Sequence, residues 1–210
     1  MNAPSWPRRW RWLALLGLLA VAIAKVTEDV VGLESGPVDT AVLWFVRAHV
    51  PAALSGFFGA VTRSGSAALL LPASVLVVAA WWWARRRMDA VLMATSMLLA
   101  TLAIYALKAI VGRERPALWQ AEAYWGSSFP SGHSLGTAAF ATAAALGLAR
   151  QWPRLAIPAL ATAAMWAGLV ALSRLVLGVH WPSDVLAALC IGAFIPLALN
   201  ELLQRLWPQA

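Results

Sequence analysis

Three short stretches of this chain hold the residues best equipped for chemistry. The most telling is Ser173-Arg174-Leu175-Val176-Leu177-Gly178-Val179-His180-Trp181-Pro182-Ser183-Asp184, which lies between two long apolar runs. An arginine, a histidine and a carboxylate at the edge of a membrane are costly there, so by default they mark a functional site. His180 precedes Asp184 by four residues. That is close enough for the carboxylate to orient the imidazole if a helix begins there. A structural ion pair between Arg174 and Asp184 is the competing reading, and it leaves His180 idle.

The second stretch runs from Lys108 to Arg115-Pro116. Seven residues is nearly two helical turns, so on a continuing helix both cations project from one side, as an anion needs. A snorkelling lysine beside an interfacial arginine is the alternative. The third stretch is Pro130-Ser131-Gly132-His133, directly before an apolar run. Ser131 can cap a helix there, Gly132 allows close backbone approach, and the free N–H groups of a helix start favour a phosphate. Alone, it reads equally as a plain cap with an interfacial histidine.

The elements that must position these residues are membrane spans. The 210 residues are 61% hydrophobic, with mean hydropathy +0.72, against about 45–50% apolar in soluble domains. Several runs reach the roughly 18 apolar residues that mark a span. The pattern predicts an all-α integral membrane protein, one domain over 1–210, with six helices near 10–26, 66–84, 89–111, 134–150, 155–176 and 183–203. The first has a rival reading. Ala22-Ile23-Ala24 before Lys25 also resembles a signal-peptide cleavage site; the consistency of a six-helix bundle favours an uncleaved anchor. Val38 to Val50 reads as an amphipathic surface helix or as a loop packed on the bundle. Pro196 predicts a kink in the last span.

Loop charges orient the bundle. Arg8, Arg9, Arg11, Arg85, Arg86, Arg87, Arg150, Arg154 and Arg205 fall at one set of ends, and Glu28, Asp29, Glu34, Asp39, Glu114, Glu122 and Asp184 at the other. The positive-inside rule then puts both termini in the cytoplasm and the polar cluster at the outer face. The net charge of +7 is therefore read as topology. No basic stripe accompanies a nucleic-acid motif, so nucleic acid is not an expected partner. Cys190, the single cysteine, excludes an internal disulfide. His49 stands apart from any partnering motif and is expected to be a surface histidine.

In order along the chain, these stretches resemble the signature of the type-2 phosphatidic acid phosphatase superfamily, which also includes the vanadium haloperoxidases. That signature is Lys-x6-Arg-Pro, then Pro-Ser-Gly-His, then Ser-Arg-x5-His-x3-Asp. Here it is carried by Lys108, Arg115 and Pro116; by Pro130 to His133; and by Ser173, Arg174, His180 and Asp184. The resemblance spans roughly residues 100 to 190 and implies a division of labour. His180 is the expected nucleophile, forming a phosphohistidine that water hydrolyses. Asp184 fixes its tautomer. His133 is the general acid for the leaving oxygen. Lys108, Arg115 and Arg174, with Ser131 and the Gly132 N–H, surround the phosphoryl oxygens. With three fixed cations, neither a metal nor another cofactor is expected.

A site at the mouth of a bundle, flanked by Trp119, Trp125 and Trp181, suits a substrate whose head reaches the site while its tail stays in lipid. A membrane lipid is thus the expected partner, and a bacterial inner membrane the expected host. An isoprenoid diphosphate such as undecaprenyl diphosphate is the first-ranked substrate. Phosphatidic acid and phosphatidylglycerol phosphate come next, with lipid phosphotransfer as the rival reaction. A lipid transporter or binding protein ranks below these, because the polar residues gather at one face and leave most span centres apolar.

Overall fold

The computed structural model describes residues 6–119 and 126–207. Glu122 and Trp125 lie outside the described residues, as do the side chains of Arg8, Arg9 and Arg11. Among the described residues regular structure is helical throughout: α1 (Trp6–Val31), α2 (Gly36–His49), α3 (Ser55–Ser64), α4 (Ala67–Trp83), α5 (Arg87–Val111), α6 (Gly132–Gln151), α7 (Ala156–Val176) and α8 (Pro182–Leu206).

Helix α6 is the axis of the bundle, packed on by α5, α7 and α8, while α1 lies on α8 and α4 on α5. Its sequence explains this position. Leu135, Ala138, Ala139 and Ala143 are buried, and small side chains let neighbouring backbones come close. Gly192 of α8 meets this surface so tightly that a β-carbon there would lie 2.5 Å from the Leu135 carbonyl oxygen. Around the axis, Leu92, Met93 and Ala188 complete a core with no exposed surface. The outward faces are also apolar: Tyr105 is 71% exposed, Ile110 78%, Leu76 70% and Ile157 82%. Apolar bands of this extent belong in lipid.

Among the described residues three helical stretches are long and apolar enough to cross a membrane: α5, α7 with the turn before it (Pro153–Val176), and α8. Helices α2 and α3 meet at 94° and pass together as a broken or re-entrant span, making up to four. Helix α4 matches the second expected span but has 17 residues, about 26 Å at 1.5 Å per residue, short of the roughly 30 Å hydrocarbon core. The fold is therefore that of an integral membrane helical bundle. The Ala22-Ile23-Ala24 triplet falls inside α1, where Trp12, Leu16, Leu19 and Ile23 pack on the core. Helix α8 runs on through Pro196.

The stretch around Val38–Val50 is a helix docked on α7 and α8. Asp39 and Leu43, one turn apart, are buried, whereas Trp44, Phe45 and Arg47 face outward. Both expectations for it were half right. It is amphipathic, and it is packed on the bundle.

Candidate active site

The three stretches converge where α5 ends and α6 and α8 begin. Helix α5 stops after Val111, with Gly112 left-handed at φ 62°. Lys108 and Arg115 are therefore not brought together by a continuing helix, as the seven-residue spacing suggested. They meet through a loop carbonyl instead: Lys108 Nζ donates to Ser127 O, and Arg115 Nη2 donates to the same oxygen at 3.4 Å. Residues 113–115 are clamped from both sides. Ser128 donates its N–H to Arg113 O at 2.8 Å and its hydroxyl to Glu114 O at 3.0 Å, while Trp181 Nε1 donates to Glu114 O at 2.9 Å.

His180 sits on the last residues before α8, 2% exposed. Its Nδ1 faces Asp184 Oδ2 at 3.4 Å, an ion-pair distance without a formed hydrogen bond. Such contacts often tighten only when substrate binds. Its other nitrogen, Nε2, lies 3.3 Å from Arg115 Nη1. A guanidinium can only donate. The Nε2 lone pair is thus the acceptor, and the ring proton belongs on Nδ1, towards Asp184. Burial pushes the imidazole down to about 4, helped by Arg174 and Arg115 and opposed by Asp184. At neutral pH the ring is uncharged.

Asp184, fully buried in the first turn of α8, accepts the Trp181 N–H at Oδ2 (2.9 Å). Its ion pair is not with Arg174. Arg113 Nη1 donates to its Oδ1 at 2.7 Å, and the other end of the same guanidinium donates to Asp39 Oδ2 at 2.6 Å. Arg174, 1% exposed near the end of α7, donates from Nη1 to Thr62 Oγ1 of α3 at 2.6 Å. His133, half-buried in the first turn of α6, lies within electrostatic range of Arg174, His180, Arg115 and Lys108.

Ser131 occupies the N-cap position of α6, yet its hydroxyl does not cap the backbone. It pairs with Ser134 Oγ at 3.0 Å, so the expected capping bond is absent. A β-carbon at Gly132 would meet only Ile104, at 3.6 Å. No internal packing demands glycine there. His49 is exposed, stacked on Phe45 and bonded to the Phe45 carbonyl oxygen, outside the cluster. Among the described residues no group of three or more His, Cys, Asp or Glu side chains is placed to hold a metal ion.

Two residues escaped the sequence reading. Arg113 was passed over in favour of Arg115, although residues two apart in a non-helical stretch can share a side. Asp39 was read as an acid on an amphipathic helix. Its register with buried Leu43 puts it on the packed face, where a lone carboxylate needs a partner. Asp39 accepts from Arg113, from the Ser183 N–H (2.9 Å) and from the Ser183 hydroxyl (2.6 Å). Trp119, expected beside the site, covers Gly178. That glycine has φ 67°, and a β-carbon on it would come within 2.6 Å of the indole. Trp119 also packs against Trp44 and under Arg47 of α2.

The fold recurs in known proteins. The structure is similar to that of a transmembrane PAP2-type phosphatidylglycerolphosphate phosphatase from Bacillus subtilis, with TM-score 0.78 and 25% identity over 93% of this chain and 97% of that one. It is similar in fold to Aquifex aeolicus LpxE, with TM-score 0.64, 21% identity and 77% and 94% coverage. In sequence it is 40% identical over 88 residues to phosphatidylglycerophosphatase B of Escherichia coli strain K12, covering 42% of this chain and 33% of the relative. It is 37% identical over 101 residues to a lipid A 1-phosphatase of Rhizobium johnstonii, covering 43% and 38%. The chain thus spans little more than a third of the length of these curated relatives. The family model for the PAP2 superfamily matches residues 89–208, more than half of the chain and all three stretches, so the chain belongs to the PAP2 superfamily.

Proposed function

We propose that this protein is a lipid phosphate phosphatase that works through a phosphohistidine on His180 Nε2. The observation that carries this reading is the orientation of that ring. Nδ1 is turned to a buried carboxylate, and the Nε2 lone pair is turned to an arginine that can pass from nitrogen to phosphoryl oxygen. In the first step Nε2 attacks phosphorus and the bond to the lipid oxygen breaks. His133, entering the step as the imidazolium that the bound phosphate's negative charge favours, gives that oxygen a proton. In the second step His133 takes a proton from water as it attacks, the P–N bond breaks, and inorganic phosphate leaves. Asp184 holds the Nδ1 proton and balances the positive ring in between.

Lys108, Arg115 and Arg174 stabilise the charge on the non-bridging oxygens, a task that arginine's planar fork suits. The Gly132 N–H, at the start of α6, is a further donor. Arg113 and Asp39 act one step back, positioning Asp184. No step requires a metal ion.

The relatives reorder the substrates. Isoprenoid diphosphate led on the sequence alone. A phosphatidylglycerophosphatase is prominent both among the sequence relatives and among the structures, and the structural match runs nearly end to end. Phosphatidylglycerol phosphate therefore moves to first place, ahead of isoprenoid diphosphate, phosphatidic acid and lipid A 1-phosphate. The six-span plan, the cytoplasmic termini and an outward-facing site in a bacterial inner membrane belong to the same reading, supported by the loop charges.

Phosphate release by the purified protein is the test, measured with each of these lipids in chelator. The expected result is turnover of phosphatidylglycerol phosphate that chelator leaves intact. His180→Ala should show neither turnover nor a trapped phosphoenzyme. A variant still releasing phosphate near the wild-type rate would sink the nucleophile assignment.

A further inference from the structure

The end of the bundle remote from His180 carries a second polar construction. Helix α5 links the two: Arg87 opens it and Lys108 lies in its last turn, about 30 Å away along the axis. Here a cup of about 500 Å³ is lined by Arg85, Arg86, Arg87, Met88, Asp89, Arg150, Gln151 and Trp207. Four arginines against one aspartate leave it a formal charge of +3.

Its members divide into wall and rim. Asp89, 6% exposed, takes Arg150 Nε on Oδ1 at 2.6 Å and Arg86 Nε on Oδ2 at 2.9 Å. Arg86 also donates to Gly147 O at 2.5 Å and to Gln151, and Arg150 donates to Asn200. These two arginines are spent on the protein and form a rigid wall. Arg85 and Arg87 are exposed at the rim, and Arg87 lies 4.4 Å above the Trp82 ring.

Arg85 breaks a local rule. It closes α4 in the left-handed conformation, φ 61°, inside paired bonds from Arg86 N–H to Trp81 O and from Arg85 N–H to Trp82 O. Glycine is the residue that such a closure favours. An arginine held there against its backbone preference places a cation on the cup's rim, and strain of this kind gathers at ligand sites. Trp82, Trp83 and Trp207 are exposed around the same end. Tryptophans sit at the headgroup level of a bilayer, so the cup opens where lipid phosphates lie.

We infer that the Arg85–Arg87 rim over the Arg86–Asp89–Arg150 wall is a phosphate-binding site, distinct from the candidate active site and taking the headgroup of an anionic phospholipid in the opposite leaflet. Basic pockets between membrane helices are the usual seat for such headgroups. The site holds its lipid without turning it over: among the described residues no histidine lines it, and its one carboxylate, Asp89, has both oxygens engaged by Arg150 and Arg86. It does not depend on the phosphatase reading.

Native mass spectrometry of the full chain tests it with phosphatidylglycerol, phosphatidylcholine and inorganic phosphate as probes. Arg85→Gly with Arg87→Gln is the informative variant. Glycine suits the left-handed position, so the variant should melt no earlier than wild type and lost binding cannot be blamed on misfolding. The expected result is that phosphatidylglycerol retention falls at least about tenfold in the variant, while phosphatidylcholine retention does not change. Displacement of the lipid by excess inorganic phosphate would assign the site to the phosphate group alone; resistance to it would assign the site to the whole lipid. Equal retention of phosphatidylglycerol by wild type and variant, or retention of phosphatidylcholine as strong as that of phosphatidylglycerol, would overturn the inference. Arg87→Gln alone, at an exposed side chain, provides the same comparison without touching the turn.

Discussion

Asp184 and Asp89 lie at opposite ends of the bundle, and each is buried beneath arginine donors. Asp89 joins α5 to α6 through Arg150 and to the residue before its own helix through Arg86, and the remaining donors of those arginines reach Gly147, Gln151 and Asn200. Nothing on that wall is left to change partners. Asp184 is held on one oxygen by Arg113 and the Trp181 N–H secures the other, yet that second oxygen still faces an imidazole that it does not fully engage. The first carboxylate is a lock between helices. The second is a lock on one side and an open contact on the other, and the open contact is where chemistry can enter. Burial and charge alone do not separate the two; an adjacent group that can gain or lose a proton does.

The sharpest way to break this contrast is to neutralise both carboxylates in turn. Asp184→Asn should cut kcat by about 10⁴-fold, because the amide no longer selects the reactive tautomer or balances the charged ring. Asp89→Asn should leave kcat within a few-fold of wild type. It should destabilise the bundle by about 1–3 kcal/mol, the cost of leaving partly screened arginines without their carboxylate. Phosphate release and thermal melting, run on both variants, decide it. If Asp89→Asn lost activity as deeply as Asp184→Asn without melting earlier, the lock-versus-relay distinction would fail.

A smaller effect is expected one residue further out. Asp39→Asn removes charge from a side chain that touches Arg113 and Ser183 but not His180. With its far end left to the neutral Ser35 hydroxyl, to which Nη2 also donates at 3.0 Å, the guanidinium loses the charged brace that aims it at Asp184. Misplacements on the ångström scale cost up to about 10²-fold, so a 10–100-fold loss in kcat with KM held is the expectation. A rise in KM at constant kcat would instead place Asp39 among substrate contacts.

Asp39 also shows what the sequence could and could not reveal. Lys108, Arg115, His133, Arg174, His180 and Asp184 could be singled out as candidates because each stands at the boundary of an apolar run, where a charge needs a reason. The helical class and the stretches matching α5, α7 and α8 followed from the same runs. Arg113 and Asp39 are joined across 74 residues of chain, and neither breaks an apolar run, so hydropathy gave no alarm. Only tertiary packing of α2 against α8 makes Asp39 a buried charge. The Ser131 cap was misread for a similar reason: its neighbour Ser134 competes for the hydroxyl. The Lys108–Arg115 pairing was anticipated for the wrong cause, since Gly112 ends the helix that was meant to align them.

The mildest probe of the contrast leaves every residue in place and changes pH. Asp89 has no imidazole beside it, whereas Asp184 faces one that burial holds near 4, below the ordinary histidine value of 6.5. The sign follows from which state takes the proton. Between pH 6.5 and 4 the unfolded chain protonates this histidine and the folded chain does not. The folded state is therefore disfavoured by this group as pH falls through that window, and the effect is absent above 6.5. His180, however, stays neutral, as the proposed nucleophile must, down to about pH 4. With three histidines in the chain, nitrogen NMR of the rings can follow His180 directly, using His180→Ala to assign its signal. Its proton is expected on Nδ1, and the neutral pattern should persist at pH 5. A ring carrying its proton on Nε2, or charging near 6.5, would show that Arg115 does not hold the Nε2 lone pair; the open contact at Asp184 would then be one more structural pairing like those at Asp89.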